Sequence, residues 1–323
     1  MRIRTPNYSS LSPNPKEREL QASAETNYKQ FLAIATYFRH HKILEELCTL
    51  DYFNSRLKKS KAYSYNDVRK WLFNSWNTER ILLLNSSLLE LDNNYFILQW
   101  SFPQAYYAAF ASTLAFFKTV GYTENSHSAV LRKFGCLVAE NKYPPGISFY
   151  CDGTKSNPHY HNINFTAIQS AMELNIFCYN SVQDKICQFL KTTRKIQLEL
   201  KREESGMKKK FLTKSGQQKK NLAESEWRQI SKSLGYTTIL NMLYRKRIKA
   251  NYQDVETFNY EGIRSHQINK CLNNIVNNIN LTHETMIYKA IGFEEYNEIY
   301  QAYGKGKNIE FLDKRFQMIN NTI

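Results

Sequence analysis

The stretch SFPQAYYAAFASTLAFFKTVG, residues 101–121, decides the fold class. Tyr106, Phe110, Leu114 and Phe117 recur at three- and four-residue steps, the period of a buried helix face. Ser101 can cap such a helix, Pro103 fits its first turn and Gly121 is placed to end it. Ala105, Ala108, Ala109, Ala111 and Ala115 have so little volume that a neighbouring helix can approach closely. Downstream, ENSHSAVLRKFGCLVAENKY predicts a second helix, capped by Asn125 or Ser126 and packing through Val130, Leu131, Phe134, Leu137 and Val138. Upstream, residues 68–91 place Trp71, Leu72, Trp76, Ile81, Leu84, Leu88 and Leu91 on one broad stripe, with Asn66 or Asp67 as N-cap. A core of at least three helices follows.

Further from this centre the pattern stays helical. Residues 1 to about 20 are rich in Pro, Ser and Asn and read as an arm, and one or two short helices follow from Ala22. Residues 144–165 hold Pro144, Pro145, Gly146, Gly153 and Pro158 and read as an insertion loop or small lobe without a strand pair. Helical spacing resumes at Ala167 and runs into a charged stretch, where Lys191 to Lys220 carries eleven basic against three acidic side chains. Such a run is either a solvated helix end and loop or an electrostatic arm that tracks phosphates. A helix from Glu224, which Gly235 can break, a long helix with Ile268, Leu272, Ile275 and Ile279 on one side, and one short helix in the tail complete the pattern. The organisation read from this is an arm with short helices (1–65), a helical bundle (66–290) and a helical tail (291–323).

Bulk composition narrows the function. Glycine and proline number 11 and 7, too few for a turn-rich β-sandwich, while 42% hydrophobic residues suffice for a sizeable core. Lys and Arg number 44 against 29 Asp and Glu, a net charge of +15 that attracts polyanions, nucleic acid first among them. The six cysteines form no CxxC pair, which excludes a zinc ribbon, and no stretch reaches the eighteen or so apolar residues of a membrane span. The opening MRIRTPNYSS has no apolar leader, so a cytoplasmic protein with free thiols is expected. No phosphate-binding Gly-rich loop, GxSxG elbow or HExxH motif is present, and no cofactor is implied. Cys151, Asp152, His159 and His161 include metal-ligand types, but at a spacing that matches no standard site, so no metal is assigned.

The run AYYAAFASTLAFFKTVGYTENSHSAVLRKFG resembles the HEPN superfamily, in particular the bacterial branch with a Tyr-Tyr-Ala helix, a Gly and a helix opened by a His. LYRKRIKANYQDV resembles that branch's Arg-x-x-Ala-Asp-Tyr stretch through Arg247, Ala250, Asn251 and Tyr252. The resemblance covers about half the chain, from the helix at 68–91 to one at 263–286. It implies an all-α, HEPN-like bundle with an N-terminal helical extension and insertions, working as a homodimer. It further implies an RNA-acting effector of a prokaryotic toxin or phage-defence system, with an antitoxin or another defence subunit as partner. Many members are metal-independent ribonucleases with an Arg-x4-6-His motif, in which His moves the 2′-hydroxyl proton and Arg stabilises charge on the phosphate.

None of the seven histidines of this chain lies five to seven positions after an arginine, and Tyr252 stands where that His would be if Arg247 fills the Arg slot. A phenol, with a reference pKa near 10, is a poor base at neutral pH. His266 or His127 would then have to reach the cleft from another helix. The candidate catalytic set is accordingly Arg247, Tyr252, His266 and His127. Arg245, Lys246 and Lys249, beside Tyr244 and Tyr252, are candidates for phosphate contact and base stacking, as are Lys208, Lys209 and Lys210 in the basic run. The alternative is a non-catalytic nucleic-acid-binding or assembly subunit.

Overall fold

The computed structural model describes residues 14–91, 96–167, 173–205, 211–213, 215, 217, 219–258, 260, 263–304 and 309–323. The protein is all-α apart from one small hairpin. The first helix, α1 (Pro15–Arg39), is one continuous element that starts earlier than the composition suggests. Asn14 Oδ1 accepts from Glu17 N at 2.9 Å while the Glu17 carboxylate accepts from Asn14 N at 3.0 Å, a capping box with Pro15 in the first turn. The short α2 (Ile43–Cys48) and a π-turn (Tyr52–Arg56) lead to α3 (Tyr65–Leu91). The cap there is Ser64, whose Oγ accepts from Asp67 N at 3.3 Å, rather than Asn66 or Asp67.

The helix α4 (Phe96–Thr119) is the bundle's centre. It begins before the Ser101–Pro103 start expected from sequence, so both residues lie inside it. Ser101 Oγ accepts from Asn85 Nδ2 on α3 at 3.1 Å, which ties the two helices into an antiparallel pair. Gly121 ends the helix at φ +84°, where an added Cβ would stand 2.4 Å from Ser60 Oγ. The five alanines are buried, and α10 (Ser265–Ile291) packs along α4 with Ile268, Leu272, Ile275 and Ile279 fully inside. Next to them His283 is enclosed in the core, with Nδ1 hydrogen-bonded to Ser112 Oγ at 3.0 Å and Nε2 to the Tyr143 hydroxyl at 2.9 Å.

On α3 the predicted stripe holds only in part. Leu72 and Trp76 are buried, but Ile81, Leu84 and Leu88 are 48%, 56% and 47% exposed. The inner face there carries Glu79 and Asn85 instead, because it meets a buried ion network. Arg315 on α12 (Glu310–Asn320) pairs with Glu79 and with Glu284 of α10, the latter at 2.6 Å. Trp76 Nε1, the Tyr296 hydroxyl and Asn280 Nδ2 donate to the same two carboxylates. The hydrogen bonds offset part of the cost of enclosing these charges, and Leu82 and Leu89 keep the inner face of α3 apolar beside them.

The insertion after α5 (His127–Ala139) contains a two-stranded antiparallel hairpin, β1 (Tyr150–Gly153) and β2 (Pro158–His161), in place of the strandless loop expected. Cys151 also pairs with Thr237 through two 2.9 Å backbone hydrogen bonds. Residues 173–178 are not helical, and α6 (Tyr179–Ser205) starts twelve positions after the predicted Ala167. Thr166 explains part of the offset: its backbone N and its hydroxyl both bind the Asp184 carboxylate, at 2.7 and 2.8 Å, so the chain lies across α6 rather than leading straight into it. Gly235, at φ +81°, separates α7 (Glu224–Leu234) from α8 (Ile239–Ile248), as expected. A second π-turn (Lys249–Gln253) and α9 (Val255–Phe258) follow. The tail holds two helices, α11 (Phe293–Gly304) and α12, where one was expected. The main apolar core draws on residues from Ala24 to Ile319, so arm helices and tail share it with the bundle, and a small second core of Leu198, Phe211, Trp227 and Ile230 joins the far end of α6 to α7.

Candidate functional site

The Tyr-Tyr pair of α4 positions the site. Tyr106 turns into the core and its hydroxyl meets His127 Nδ1 at 2.7 Å, at the first residue of α5. Tyr107, one position on and therefore rotated about 100° around the helix, accepts a 2.5 Å hydrogen bond from Arg247 Nη2 on α8. The Arg247 guanidinium lies 5.2, 5.8 and 5.9 Å from the ring centres of Tyr107, Tyr244 and Tyr252. The His127 ring is 4.5 Å from Phe110, 5.5 Å from Tyr106, 5.7 Å from Tyr244 and 6.0 Å from Tyr107. Arg247 and His127 thus share the Tyr107 and Tyr244 rings as common walls.

The π-turn accounts for the place of Tyr252. Its wider winding, closed by Asp254 N donating to Lys249 O at 2.9 Å, brings a residue five positions after Arg247 back towards the guanidinium. Tyr252 is nevertheless 70% exposed and lies at the rim. The three aromatic faces favour a cation, and no acidic side chain among the described residues pairs with Arg247. Burial lowers the His127 pKa below the ordinary imidazole value, and the Arg247 charge lowers it further, so the ring is neutral at pH 7. Burial raises the Tyr106 pKa, which keeps that phenol protonated. An unmatched cation beside a neutral imidazole can hold an anionic group and exchange a proton with it.

The remaining candidates separate. Arg245 donates to Thr192 Oγ1 at 2.8 Å and to Thr193 Oγ1 at 3.2 Å, and burial lowers its pKa to about 10. Lys249 forms a 2.6 Å ion pair with Asp254. Both line a groove of about 760 Å³ between α5, α6, α8 and the π-turn after it, whose Tyr244 wall is shared with the Arg247 group. Lys246 points the other way: it is buried against Asn27 and the Phe189 ring and presents no charge to a phosphate, contrary to the sequence reading. His266 opens α10, and the contacts that join imidazole to Arg247 run through His127 instead. Lys208, Lys209 and Lys210 lie outside the described residues. Within the same basic run Arg194 is a buried clamp, donating to Gly153 O, Gly235 O and Ser231 Oγ at 2.8 Å each.

In the hairpin, Asp152 accepts from His159 Nδ1 at 3.2 Å and lies 3.4 Å from His161 Nε2, while Cys151 is buried. Among the described residues no group of three His, Cys, Asp or Glu side chains is placed to hold a metal ion, and no helix is long and apolar enough to cross a membrane. Sequence reasoning singled out Tyr244 beside the basic residues but missed Tyr107 as a wall of the site, though the Tyr-Tyr pair was its signal. No family model, curated protein or solved structure matches the chain.

Proposed function

We propose that the chain is a HEPN-type, RNA-acting effector of a prokaryotic toxin or phage-defence system, with a metal-independent ribonuclease site built from Arg247 and His127. The observation that carries this reading is the acid-free Arg247 guanidinium sharing two tyrosine walls with a neutral imidazole. Arg247 holds a backbone phosphate. When His127 donates Nδ1–H to the Tyr106 oxygen, Nε2 keeps its lone pair and takes the 2′-hydroxyl proton; the 2′-oxygen attacks phosphorus and the 5′-oxygen leaves. Tyr252, exposed at the rim, stacks a base, and Arg245 and Lys249 continue the electrostatic path along the groove. A homodimer in the cytoplasm, held silent by an antitoxin or another defence subunit, is the working form within this reading.

The second reading, a binding or assembly subunit without turnover, is favoured by Tyr252 standing where the Arg-x4-6-His motif has its base. Incubation of the purified protein with total RNA separates the two. Turnover lost in both Arg247→Ala and His127→Ala supports the ribonuclease; cleavage that survives Arg247→Ala unchanged removes the site. Salt-dependent retention of RNA without products supports the binding subunit.

A further inference from the structure

A second group of titratable side chains lies where α1, α2 and α6 meet. His41, just past the end of α1, hydrogen-bonds Glu46 Oε1 of α2 through Nδ1 at 2.6 Å and the Tyr179 hydroxyl of α6 through Nε2 at 3.2 Å. The second Glu46 oxygen is fixed by Gly146 N at 2.9 Å. Gly146 can approach this closely only without a side chain, since an added Cβ would stand 2.8 Å from His41 Cβ. Tyr37 stacks on Tyr179 with ring centres 5.8 Å apart and planes 10° apart, and its hydroxyl donates to Asn162 O at 3.4 Å. The His40 ring meets Tyr179 edge-on at 5.1 Å. Tyr179 itself is 38% exposed, so a reagent in solution can reach it.

Carboxylate, imidazole and hydroxyl in this order are the parts of an activated oxygen nucleophile. An ionised Glu46 draws the imidazole proton to Nδ1, which leaves Nε2 to accept from Tyr179. The stacked Tyr37 ring holds the Tyr179 ring in the plane that keeps its hydroxyl at His41 Nε2. A phenol that loses its proton only as it attacks needs such a base, and burial holds the Tyr179 pKa above the ordinary phenol value.

We propose that Tyr179 is a nucleophilic tyrosine that takes up an activated phosphoryl group, with His41 as its general base and Glu46 and Tyr37 as positioning residues. In the step, the Tyr179 oxygen forms a bond to phosphorus, the bond from phosphorus to the donor's leaving group breaks, and the phenolic proton passes to His41 Nε2. The product is an O-phosphorylated Tyr179. Nothing in this depends on the Arg247 site.

Diisopropyl fluorophosphate is a suitable probe, since fluoride leaves as the Tyr179–phosphorus bond forms. Labelling of the full chain would be followed by peptide mass spectrometry against N-acetyltyrosinamide in the same buffer. Tyr179 is expected to react on the order of 10²-fold faster than the free amino acid amide, with most of that advantage lost in His41→Gln. Glu46→Gln keeps shape and volume, so it provides the same test should His41→Gln fail to fold; its labelling is also expected to fall at least about tenfold. Tyr179 reacting no faster than the free amide, or at an unchanged rate in the folded His41 or Glu46 variant, would overturn the proposal.

Discussion

His283 engages both ring nitrogens inside a core that excludes water, and burial pushes its pKa down to about 3. The unfolded chain binds a proton there below about pH 6.5 that the folded chain refuses until near pH 3, so this residue subtracts stability as the pH falls through that window. The slope is about 1.4 kcal/mol per pH unit. Glu284, whose pKa burial raises, acts with the opposite sign: its contribution is present at low pH and is lost as the pH rises. Urea unfolding of His283→Gln and wild type between pH 4.5 and 6.5 should therefore show a shallower pH dependence in the variant, and parallel curves would contradict the assignment. At the candidate site, Tyr107→Phe keeps the aromatic wall and removes only the hydroxyl that accepts from Arg247. We expect RNA retention to weaken a few-fold with the melting temperature nearly unchanged, by filter binding at fixed salt; wild-type retention would mean that the guanidinium is placed by the rings alone.

At the scale of elements, two ends decide where helices stop and start. Gly121→Ala puts a Cβ into the left-handed region and against Ser60, at a cost of roughly 1–3 kcal/mol. Asn14→Ala removes the capping box of α1 and should cost about 1 kcal/mol. Equilibrium denaturation checks both, and an Asn14→Ala variant as stable as wild type would show that tertiary packing alone holds that end. The core of α4, α5 and α10 was legible in the sequence because its apolar residues follow the helical period without interruption. The lower half of α3 was not, since Glu79 is satisfied by residues more than 200 positions away and Asn85 by the next helix, so both break the rule that polar means outside. The hairpin escaped notice because its four-residue strands carry Asp152, Gly153 and Pro158, which read as loop. The site was half legible: the Tyr-Tyr pair and Arg247 stood out, while the meeting of His127 with Arg247 depends on packing between α4, α5 and α8 that spacing along the chain does not encode.

For the molecule as a whole, the +15 excess stays at the surface, because the buried cations Lys185, Arg194, Lys246 and Arg315 are nearly matched by the buried acids Glu79, Asp184 and Glu284. Arg315 also closes the core. Replacing it with Ala would leave Glu79 and Glu284 enclosed without their cation, a loss of about 3–5 kcal/mol. A fall of several degrees in melting temperature is expected, and Arg315→Ala combined with Glu79→Gln should recover part of it; a double variant no better than the single one would refute the coupling. Glu79 and Glu284 are made well before residue 315 during synthesis. Until α12 docks they have hydrogen-bond donors in Trp76, Tyr296 and Asn280 but lack their cation. A contact between residues 236 positions apart thus makes the order of assembly part of the fold: α3 and α10 can meet early, and their shared seam becomes rigid only when α12 arrives.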